Sequence, residues 1–514
     1  MTASKNASAD RSAKAERIVA YAICLIISAL ALGICSRSSP LYPINDWVDS
    51  NCFFTVGKAM FSGKTLYLDI YEQKGIFLYF LHGIAYLISN TSFLGVYFIE
   101  VLSFSAFLYL TYLIARSFAS RIASLAVLAP LSLALLCTRA FCQGDSAEQL
   151  MLPLLLYPVY CLIKSSRQGK GGLPSKIEVA IIGAAFALVL LTKFTLVGVF
   201  FGYVLALAVL CLIKKDVLSL LRFGLLFCAG AGVAFLPFFI YFVATGSLSA
   251  FFEVYFYNNL FLYPIYEEQF TIWENLIYSF GANAVCFSAA VAGLVFVVAR
   301  EKRREVSIAL PSMAFFTVLF IYVGGRFHEY YPLGALFFSA LGFAALAPLF
   351  ELFFKKLFKK EKKRLATSII SLTLACVTCL SLCLVFSENA FLIGTKKEDT
   401  WQYKFAEIIE RSDEKTLINY GSLDLGLYTA ANIVPSERFF CHLNIDLAEM
   451  DESIDLAIVE KRVKFVVYRG NYPPLIVMQN YKIVCREISH LEFEGSRITY
   501  FLLERKEASI GTFE

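Results

Sequence analysis

Apolar stretches alternate with short polar segments along most of the chain, up to residue 388. We predict that about eleven of these stretches cross a bilayer as helices, because a transmembrane helix needs about 20 mostly apolar residues. They run over residues 18–35, 93–114, 122–138, 149–163, 177–192, 194–213, 218–243, 276–299, 306–323, 332–354 and 365–388. A twelfth stretch, 76–89, is short for a span and contains His82 and Gly83. This pattern predicts an α-helical polytopic membrane protein.

The distribution of Lys and Arg decides what the short stretch 76–89 does. If it crossed the membrane, the basic clusters 164–176, 214–215 and 355–364 would lie outside the cell, against the positive-inside rule. We therefore predict that 76–89 lies along the membrane interface. The N-terminus is then cytoplasmic, and residues 389–514 are extracellular.

Composition divides the chain into three parts. Residues 1–17 are polar and basic, and we expect a short disordered cytoplasmic tail. Residues 18–388 form the predicted transmembrane domain, with a first outer loop at 36–92. Residues 389–514 mix helical and strand periodicity and predict a small extracellular α/β domain. Its strand-like segments lie at 416–420, 465–468, 483–487 and 498–503.

The overall composition agrees with a membrane protein and excludes other classes. Hydrophobic residues make up 58% of the chain and charged residues 17%, which is more apolar than soluble domains are. The net charge of +5 is small and reflects loop topology, so nucleic acid is not expected as a partner. Most of the 14 cysteines lie in apolar stretches as small hydrophobic residues. Cys52 and Cys142 lie in predicted outer loops, and their pairing stays open.

The stretch 45–79 concentrates charge directly after the first span. Its charged residues, which alternate with aromatic and aliphatic ones, include Asp46, Asp49, Asp69, Glu72 and Lys74. Charge inside a bilayer is costly, so these groups are expected at the membrane surface. We predict that this outer loop carries an active site. Asp46 has the alternative role of N-cap to a helix containing Phe53 to Phe61.

Other polar residues share the predicted outer face. They are the cations Arg139, Lys193 and Arg326, the acidic residues Asp145 and Glu148, and the pair His328–Glu329. A charge at the end of a span marks a functional site by default, although single charges also cap helices or anchor to headgroups. The loop 246–275 contains several polar residues that either line an acceptor site or form a solvated loop. These are Glu253, Tyr255, Asn258, Glu267 and Glu268.

This set of residues suits group transfer from a phosphate-linked donor. It contains no Ser-His-Asp arrangement, P-loop or dinucleotide fingerprint. A carboxylate can act as general base on a hydroxyl, and cations can hold the phosphate of a departing lipid carrier. Because lipid phosphate is already a stable leaving group, one base and a basic cradle suffice, whereas a glycosidase needs two flanking carboxyl groups.

Four motifs make the chain similar to a known superfamily. They are the run DSNCFFTVGKAMFSGKTLY from Asp49, the D-x-x-x-x-KG-x-x-x-Y run from Asp69 to Tyr79, GDSAEQLMLP at 144–153 and GGRFHEYYPL at 324–333. The pattern resembles the GT-C superfamily of integral-membrane glycosyltransferases. The most similar group is that of the protein O-mannosyltransferases and lipid A aminoarabinose transferases, with their bacterial relatives. The resemblance covers residues 1–390 and implies a polyprenyl-phosphate sugar as donor.

The resemblance also implies roles for residues of the first outer loop. The first-loop Asp of the group is its proposed catalytic base, and this role falls on Asp49. Glu72 and Lys74 match an element that positions the loop and binds phosphate, although Ile76 stands where the group usually has Pro.

Residues of the later outer loops complete the predicted site. Asp145 and Glu148 form a second acidic site. The candidates for holding the donor phosphate, besides Lys74, are Arg139, Lys193, Arg326 and His328. His328 has the alternative of satisfying the local backbone.

The sequence thus predicts inverting transfer of a hexosyl or pentosyl group from a polyprenyl-phosphate donor to a glycan, lipid or protein acceptor of the cell envelope. The reaction is placed at the outer face of the plasma membrane, among membrane lipids. Two alternatives are a flippase or transporter of a lipid-linked glycan, and an envelope polysaccharide polymerase or ligase with a diphosphate-linked donor. A transporter is expected to have inverted repeats and mid-membrane charges, and the sequence shows no clear repeat.

The need for a cofactor stays open at this point. Carboxylates near a phosphate can hold a divalent metal ion, Mg²⁺ or Mn²⁺. The cations of the predicted site can neutralise the same phosphate without a metal.

Overall fold

The first half of the chain is almost entirely helical. The computed structural model describes residues 2–169, 173–263, 269–357, 361–489 and 498–507. Its helices up to residue 244 are α1 (Thr2–Cys35), α2 (Val48–Phe61), α3 (Ile76–Ile88), α4 (Leu94–Arg116), α5 (Arg121–Ala126), α6 (Leu128–Leu136), α7 (Ala147–Arg167), α8 (Lys176–Leu190), α9 (Gly198–Ile213) and α10 (Val217–Ala244).

Further helices follow in the second half of the chain. In the apolar region they are Leu248–Phe251, the π-helical segment Phe252–Leu262, Ile272–Ala282, Ala284–Glu301, Arg304–Tyr322, Leu333–Leu336, Ser339–Leu357 and Glu361–Phe386. After residue 393 they are Trp401–Glu410, Leu427–Ala430, Ala448–Val459 and Leu475–Asn480. Short 3-10 turns lie at Arg139–Phe141, Phe194–Val197, Ala390–Leu392 and Lys397–Asp399.

Eight helices in the described part of the chain are long and apolar enough to cross a membrane. They are Lys14–Cys35, Leu94–Arg116, Phe194–Ile213, Val217–Ala244, Ala284–Glu301, Arg304–Tyr322, Leu333–Lys356 and Ile369–Phe386. The chain is therefore a multi-pass, mainly α-helical membrane protein, as predicted. The number of eleven spans and their orientation stay predictions. The stretch predicted to lie along the interface is α3, a helix of 13 residues.

The chain divides into two compact units, of which the first contains Met1–Ser39, Tyr97–Pro237 and Gln269–Ile393. Its helices approach closely at small residues. A Cβ on Gly198 would lie 2.1 Å from the carbonyl oxygen of Phe316. Because there is no room for a side chain, α9 packs directly against the backbone of Arg304–Tyr322, as small residues allow in membrane helices.

The second unit contains Pro40–Val96, Phe238–Glu268 and Gly394–Glu514. Its four-stranded sheet has the strand order β1-β2-β4-β3. The strands are β1 (Leu417–Tyr420), β2 (Phe465–Arg469), β3 (Tyr481–Ser489) and β4 (Ile498–Arg505). β1 and β2 are parallel, and β4 is antiparallel to both of its neighbours. The predicted small C-terminal α/β domain is thus confirmed.

The helices α2 and α3 of the second unit pack against each other at glycines. A Cβ on Gly57 would lie 2.6 Å from the backbone nitrogen of Gly83. The segment 62–75 runs from the end of α2 to the start of α3, so this close approach brings both ends of that segment together.

The structure corrects one expectation and answers one open question. The tail 1–17 is not disordered, because α1 begins at Thr2; its Ala- and Lys-rich sequence has good helix propensity and extends the first span. Cys52 and Cys142 are not paired, since both are free thiols and Cys52 is buried beside Cys441. Of the possible acceptor wall, Glu267 and Glu268 lie outside the described residues.

Candidate functional site

Asp49, the predicted base, lies in the first turn of α2 and is half-buried. The helix begins at Val48 with Trp47 as its N-cap residue, so Asp46 is not the cap. A helix N-terminus stabilises a negative charge because its unpaired N–H groups carry partial positive charge. Asp49 therefore lies at the positive end of a helix and is still partly accessible from the surroundings.

Glu72 and Lys74 form the second part of the same loop. Buried Glu72 accepts a hydrogen bond of 2.9 Å from the backbone N–H of Lys74, whose ammonium lies 4.0 Å from the same carboxylate. The Tyr79 hydroxyl accepts from that N–H as well, at 2.8 Å. The Tyr67 hydroxyl donates to the Lys74 carbonyl at 2.7 Å. The backbone of Lys74 is thus fixed on both sides, which directs its ammonium.

The three charged residues of this loop influence one another. Burial raises the pKa of Glu72, and the positive charge of Lys74 opposes that rise. The charge of Asp49 raises the pKa of Glu72 as well, because like charges disfavour each other's ionised form. Asp49, Glu72 and Lys74 therefore form one electrostatic group, which we call the loop cluster.

Asp69, in contrast, holds a turn. Its Oδ2 accepts a hydrogen bond of 2.8 Å from the backbone N–H of Thr65. Its own N–H donates to the Thr65 carbonyl at 2.8 Å. Between them Tyr67 has a φ of +69°, a conformation that residues with a side chain rarely adopt. Asp69 stabilises the backbone that leads to the loop cluster.

A buried lysine on α2 was not predicted from the sequence. Lys58 is fully buried and donates to the Tyr428 carbonyl at 2.7 Å. Burial lowers the pKa of Lys58 to about 7, although the charge of Asp424 opposes the shift. Asp424 is itself buried and accepts from the Thr55 hydroxyl at 2.6 Å, and burial raises its pKa to about 6. These contacts attach α2 to the segment that follows β1.

The first unit contains a buried acidic network around Glu100 of α4. Both carboxylate oxygens accept from the Ser36 hydroxyl, at 3.0 and 2.8 Å. The Glu100 carboxylate also accepts from the Asp145 backbone N–H at 2.9 Å and from the Gln149 amide at 2.8 Å. Glu100 was not predicted, although a single carboxylate inside a span is a signal for a functional or structural site.

The backbone at 142–145 is shaped to fit this network. Gly144 has a φ of +88°, and Asp145 and Cys142 have φ values of +64° and +52°. A Cβ on Gly144 would lie 2.4 Å from the Ser36 hydroxyl. Glycine is therefore required here both for its conformation and for the space. Asp145, predicted as part of a second acidic site, is fully buried and presents its backbone N–H to Glu100.

Glu148 and Lys193, both predicted as site residues, form one ion pair. The Lys193 ammonium lies 2.5 Å from Oε1 of Glu148, and their side chains are 10% and 1% exposed. The same ammonium lies 3.7 Å from the centroid of the Tyr331 ring and 5.0 Å from that of Tyr330. Oε2 of Glu148 accepts no hydrogen bond within the described residues. A buried cation is thus held by one carboxylate and two aromatic rings.

Arg139 belongs to a second, more exposed charge group. Its guanidinium donates to Oε1 of Glu329 at 2.6 Å and lies 3.9 Å from the Glu388 carboxylate. The hydrogen bond to Glu329 raises the pKa of Arg139, and burial raises the pKa of Glu388. Glu329 is therefore a partner of Arg139, and Arg139 already has two carboxylates beside it.

Arg326 and His328 lie on the loop between two helices of the first unit. Arg326 is buried, with 5% of its surface exposed. His328 is half-buried, and its ring stacks on Tyr330 with centroids 5.6 Å apart. The Tyr331 ring meets it edge-on at 4.9 Å. This loop therefore carries a buried cation and a cluster of three aromatic rings.

The predicted residues thus fall into separate groups. The second unit brings together Asp49, Glu72 and Lys74. The first unit brings together Glu148 and Lys193, and it gives Arg139 its own acidic partners. Among the described residues, one set of three His, Cys, Asp or Glu side chains has ligand atoms close enough to share a metal ion, and it consists of cysteines.

Comparison with known proteins identifies the fold. No protein-family model matches the sequence, and no curated protein matches it either. Among solved structures, ArnT from Cupriavidus metallidurans in the apo state matches with a TM-score of 0.58 and 14% identity, over 96% of this chain and 98% of that chain. ArnT from the same organism bound to undecaprenyl phosphate matches with a TM-score of 0.60 and 14% identity, over 94% and 97%.

The agreement in fold extends over nearly the full length of both chains. The chain therefore has an ArnT-like fold, in agreement with the fold that the resemblance of its sequence motifs implies.

Proposed function

We propose that this protein is a membrane glycosyltransferase that moves a sugar from a polyprenyl-phosphate donor to an acceptor of the cell envelope. The observation that carries the proposal is the fold match to ArnT bound to undecaprenyl phosphate, over 94% of this chain. The loop cluster of the second unit supports it, because transfer from a lipid phosphate needs a base and a cation, and this cluster contains both.

The base is assigned to Asp49. Its carboxylate accepts the proton of an acceptor hydroxyl as the oxygen attacks the anomeric carbon of the donor. A new carbon–oxygen bond forms on the face opposite the phosphate, and the bond from that carbon to the phosphate oxygen breaks. The electron pair leaves with polyprenyl phosphate, so the configuration at the anomeric carbon is inverted.

The departing phosphate needs positive charge and little protonation. In the second unit this charge is assigned to Lys74, which Glu72 holds in place. The first unit offers Arg326 and Lys193 as alternative candidates; both are largely buried, and Lys193 is already paired with Glu148. Cations act more strongly on a developing charge where water is excluded. Arg139 is a weaker candidate, because Glu329 and Glu388 already neutralise it.

The reaction is assigned to the outer face of the plasma membrane. The support for this assignment is the distribution of Lys and Arg, which favours a cytoplasmic N-terminus and an extracellular C-terminal domain. The acceptor is then a glycan, lipid or protein of the envelope.

A reconstituted assay tests the proposal. Surface glycans of cells with and without the gene identify the sugar, and the matching undecaprenyl-phosphate sugar is supplied to purified protein in liposomes. Asp49→Asn is expected to reduce turnover by at least about 10²-fold, the usual effect of losing a general base. Asp46→Asn is the matched control, since it removes the same charge from a half-buried residue of the same loop and should keep activity.

Three outcomes would contradict the proposal. Undiminished turnover by Asp49→Asn would remove the assigned base. Movement of a lipid-linked glycan across the bilayer without a new glycosidic bond would identify a transporter. Release of a diphosphate carrier would identify a polymerase or ligase.

A further inference from the structure

Three cysteine thiols converge in the first unit at the C-terminal ends of three helices. Cys35 is the last residue of α1, Cys137 is the C-cap of α6, and Cys383 lies in the last turn of Glu361–Phe386. Their sulfur atoms all lie within 4.8 Å of one another, and those of Cys35 and Cys137 are 3.9 Å apart. We call this group the cysteine cluster.

The spacing of the sulfurs fits a shared ion. Three thiolates bound in a plane at about 2.3 Å from one metal ion have sulfurs about 4.0 Å apart. The observed distance of 3.9 Å between Cys35 and Cys137 is close to this value. Soft thiolate ligands favour Cu(I) and Zn(II) over Mg²⁺ or Mn²⁺.

The electrostatics of the cysteine cluster favour a cation as well. Each of the three helix ends directs unpaired carbonyl groups toward its C-terminus, and the partial negative charge there stabilises a positive ion. Cys35 and Cys383 are at most 1% exposed. Thiolates in such a place are costly without a bound cation, so a metal ion satisfies both the helix ends and the sulfurs.

Two simpler roles explain less of the geometry. A disulfide would use two of the three sulfurs and leave the third without a reason to be there. Apolar packing would not require the sulfurs to face one another. Cys376 and Cys379 lie on the same helix, seven and four positions before Cys383, and they are not among the three cysteines whose sulfurs converge.

We propose that Cys35, Cys137 and Cys383 bind one soft metal ion through their three sulfurs. Each thiol releases its proton to solvent as its sulfur binds the ion, and no redox change of the protein is involved. This ion is distinct from a divalent ion at the donor phosphate, because it has sulfur ligands and belongs to a different set of residues.

The bound ion would hold three polar segments in place. Ser36, which donates to Glu100, directly follows Cys35. Arg139 follows Cys137 by two positions, and Glu388 follows Cys383 by five. Asn389 already links two of these segments, since its amide donates to the Cys35 carbonyl at 2.6 Å. The ion thus has a positioning role and does not touch the sugar or the phosphate.

Metal content and metal coordination test the proposal. Full-length protein is purified in detergent under reducing conditions without chelator and is loaded anaerobically with Cu(I) alone or Zn(II) alone. Mass spectrometry should find about one metal ion per chain, and X-ray absorption should show a first shell with sulfur at about 2.3 Å. The Cu(I)-loaded protein should show a shell of three sulfurs, and the Zn(II)-loaded protein three sulfurs with one lighter atom.

Single serine variants locate the ligands. Cys35→Ser, Cys137→Ser and Cys383→Ser should each weaken metal binding at least tenfold. Cys376→Ser is the matched control on the same helix and should bind as the wild type does. If the cluster variants do not fold, the absorption spectrum of the wild type decides, since a first shell without sulfur overturns the proposal. Unchanged metal binding in the cluster variants, no metal uptake by the reduced wild type, or a disulfide within the cluster in untreated protein also overturns it.

Discussion

Individual charged residues in both units are held by specific partners. Removing an ion from water costs several kcal/mol unless an opposite charge and hydrogen bonds compensate. The pair of Glu148 and Lys193 is almost fully buried, whereas Arg139 and Glu329 are 40% and 43% exposed. The two ion pairs have similar N–O distances, but we expect them to contribute differently to stability. A buried charge depends more strongly on its partner than an exposed charge does.

The buried pair is expected to be sensitive to the loss of one member. Lys193→Met leaves the Glu148 carboxylate buried without its cation and should lower the free energy of unfolding by about 3–5 kcal/mol. The double variant Lys193→Met/Glu148→Gln removes both charges and should recover most of this loss. Thermal and denaturant unfolding of the detergent-solubilised variants measures both effects.

The exposed pair supplies the control for this experiment. Arg139→Gln breaks a hydrogen bond of 2.6 Å to Glu329, but water and salt screen both charges, so the expected loss is below about 1 kcal/mol. Equal losses in Lys193→Met and Arg139→Gln, or a double variant as unstable as Lys193→Met alone, would contradict the assignment of a buried charge pair.

Individual site residues could be predicted from the sequence more readily than the pairs that they form. Glu148 and Lys193 were both predicted as site residues from their places beside spans, but their pairing depends on how α7 and the turn after α8 pack. Lys58 and Asp424 were missed, because they lie far apart in the sequence and no local pattern links them. Glu100 could have been found, since it is a carboxylate inside an apolar span.

At the level of elements, the approach of α2 to α3 organises the loop cluster. Asp49 lies at the start of α2, and Lys74 lies just before α3 begins at Ile76. The place where a Cβ on Gly57 would meet Gly83 is occupied by backbone atoms, which cannot move aside as a flexible side chain can. The geometry of the loop therefore depends on Gly57, whose contribution is the absence of a side chain.

Gly57→Ala tests this dependence. The added methyl group forces the helices apart, and overpacking of this kind typically costs about 1–3 kcal/mol. Both the melting temperature and sugar transfer should fall, because Asp49 at the start of α2 moves relative to Lys74 just before α3. Gly232→Ala on α10 is the control, since nothing lies within 4 Å of its Cβ. It should be neutral or stabilise the helix by about 0.5–1 kcal/mol. A Gly57→Ala variant as stable and active as Gly232→Ala would show that the close approach is not needed.

Helix interruptions were harder to predict than helices. The stretch 122–138 is divided at Val127 between α5 and α6, and the stretch 276–299 is divided at Asn283. Hydropathy is continuous across both points, because it reports burial in lipid or protein and not the continuity of the backbone. Asn283 accepts from the backbone N–H of Ala140 at 2.9 Å, so its interruption is tied to a contact distant in sequence.

For the whole molecule, apolar periodicity was enough to predict the fold class. It predicted a polytopic helical protein with a small α/β domain, because lipid permits few alternatives to helices. Which segments of the chain make up the second unit could not be predicted in the same way. That unit gathers three segments separated by more than a hundred residues, through contacts such as that of Thr55 with Asp424. Periodicity describes local structure and contains no record of such contacts.

The orientation of the chain in the membrane is the prediction that belongs to this scale. Lys and Arg cluster at 214–215 and 300–304, and the positive-inside rule places them in the cytoplasm. With about eleven spans, the C-terminal domain then lies outside the cell. A reporter phosphatase that folds only outside should be active when fused after Glu514 and inactive when inserted at 214–215, and a fluorescent protein that folds only inside should show the reverse. An inactive phosphatase together with fluorescence at the C-terminus would require an even number of spans. In that case residues 389–514 would be cytoplasmic, and the sheet domain could not take part in a reaction at the outer face.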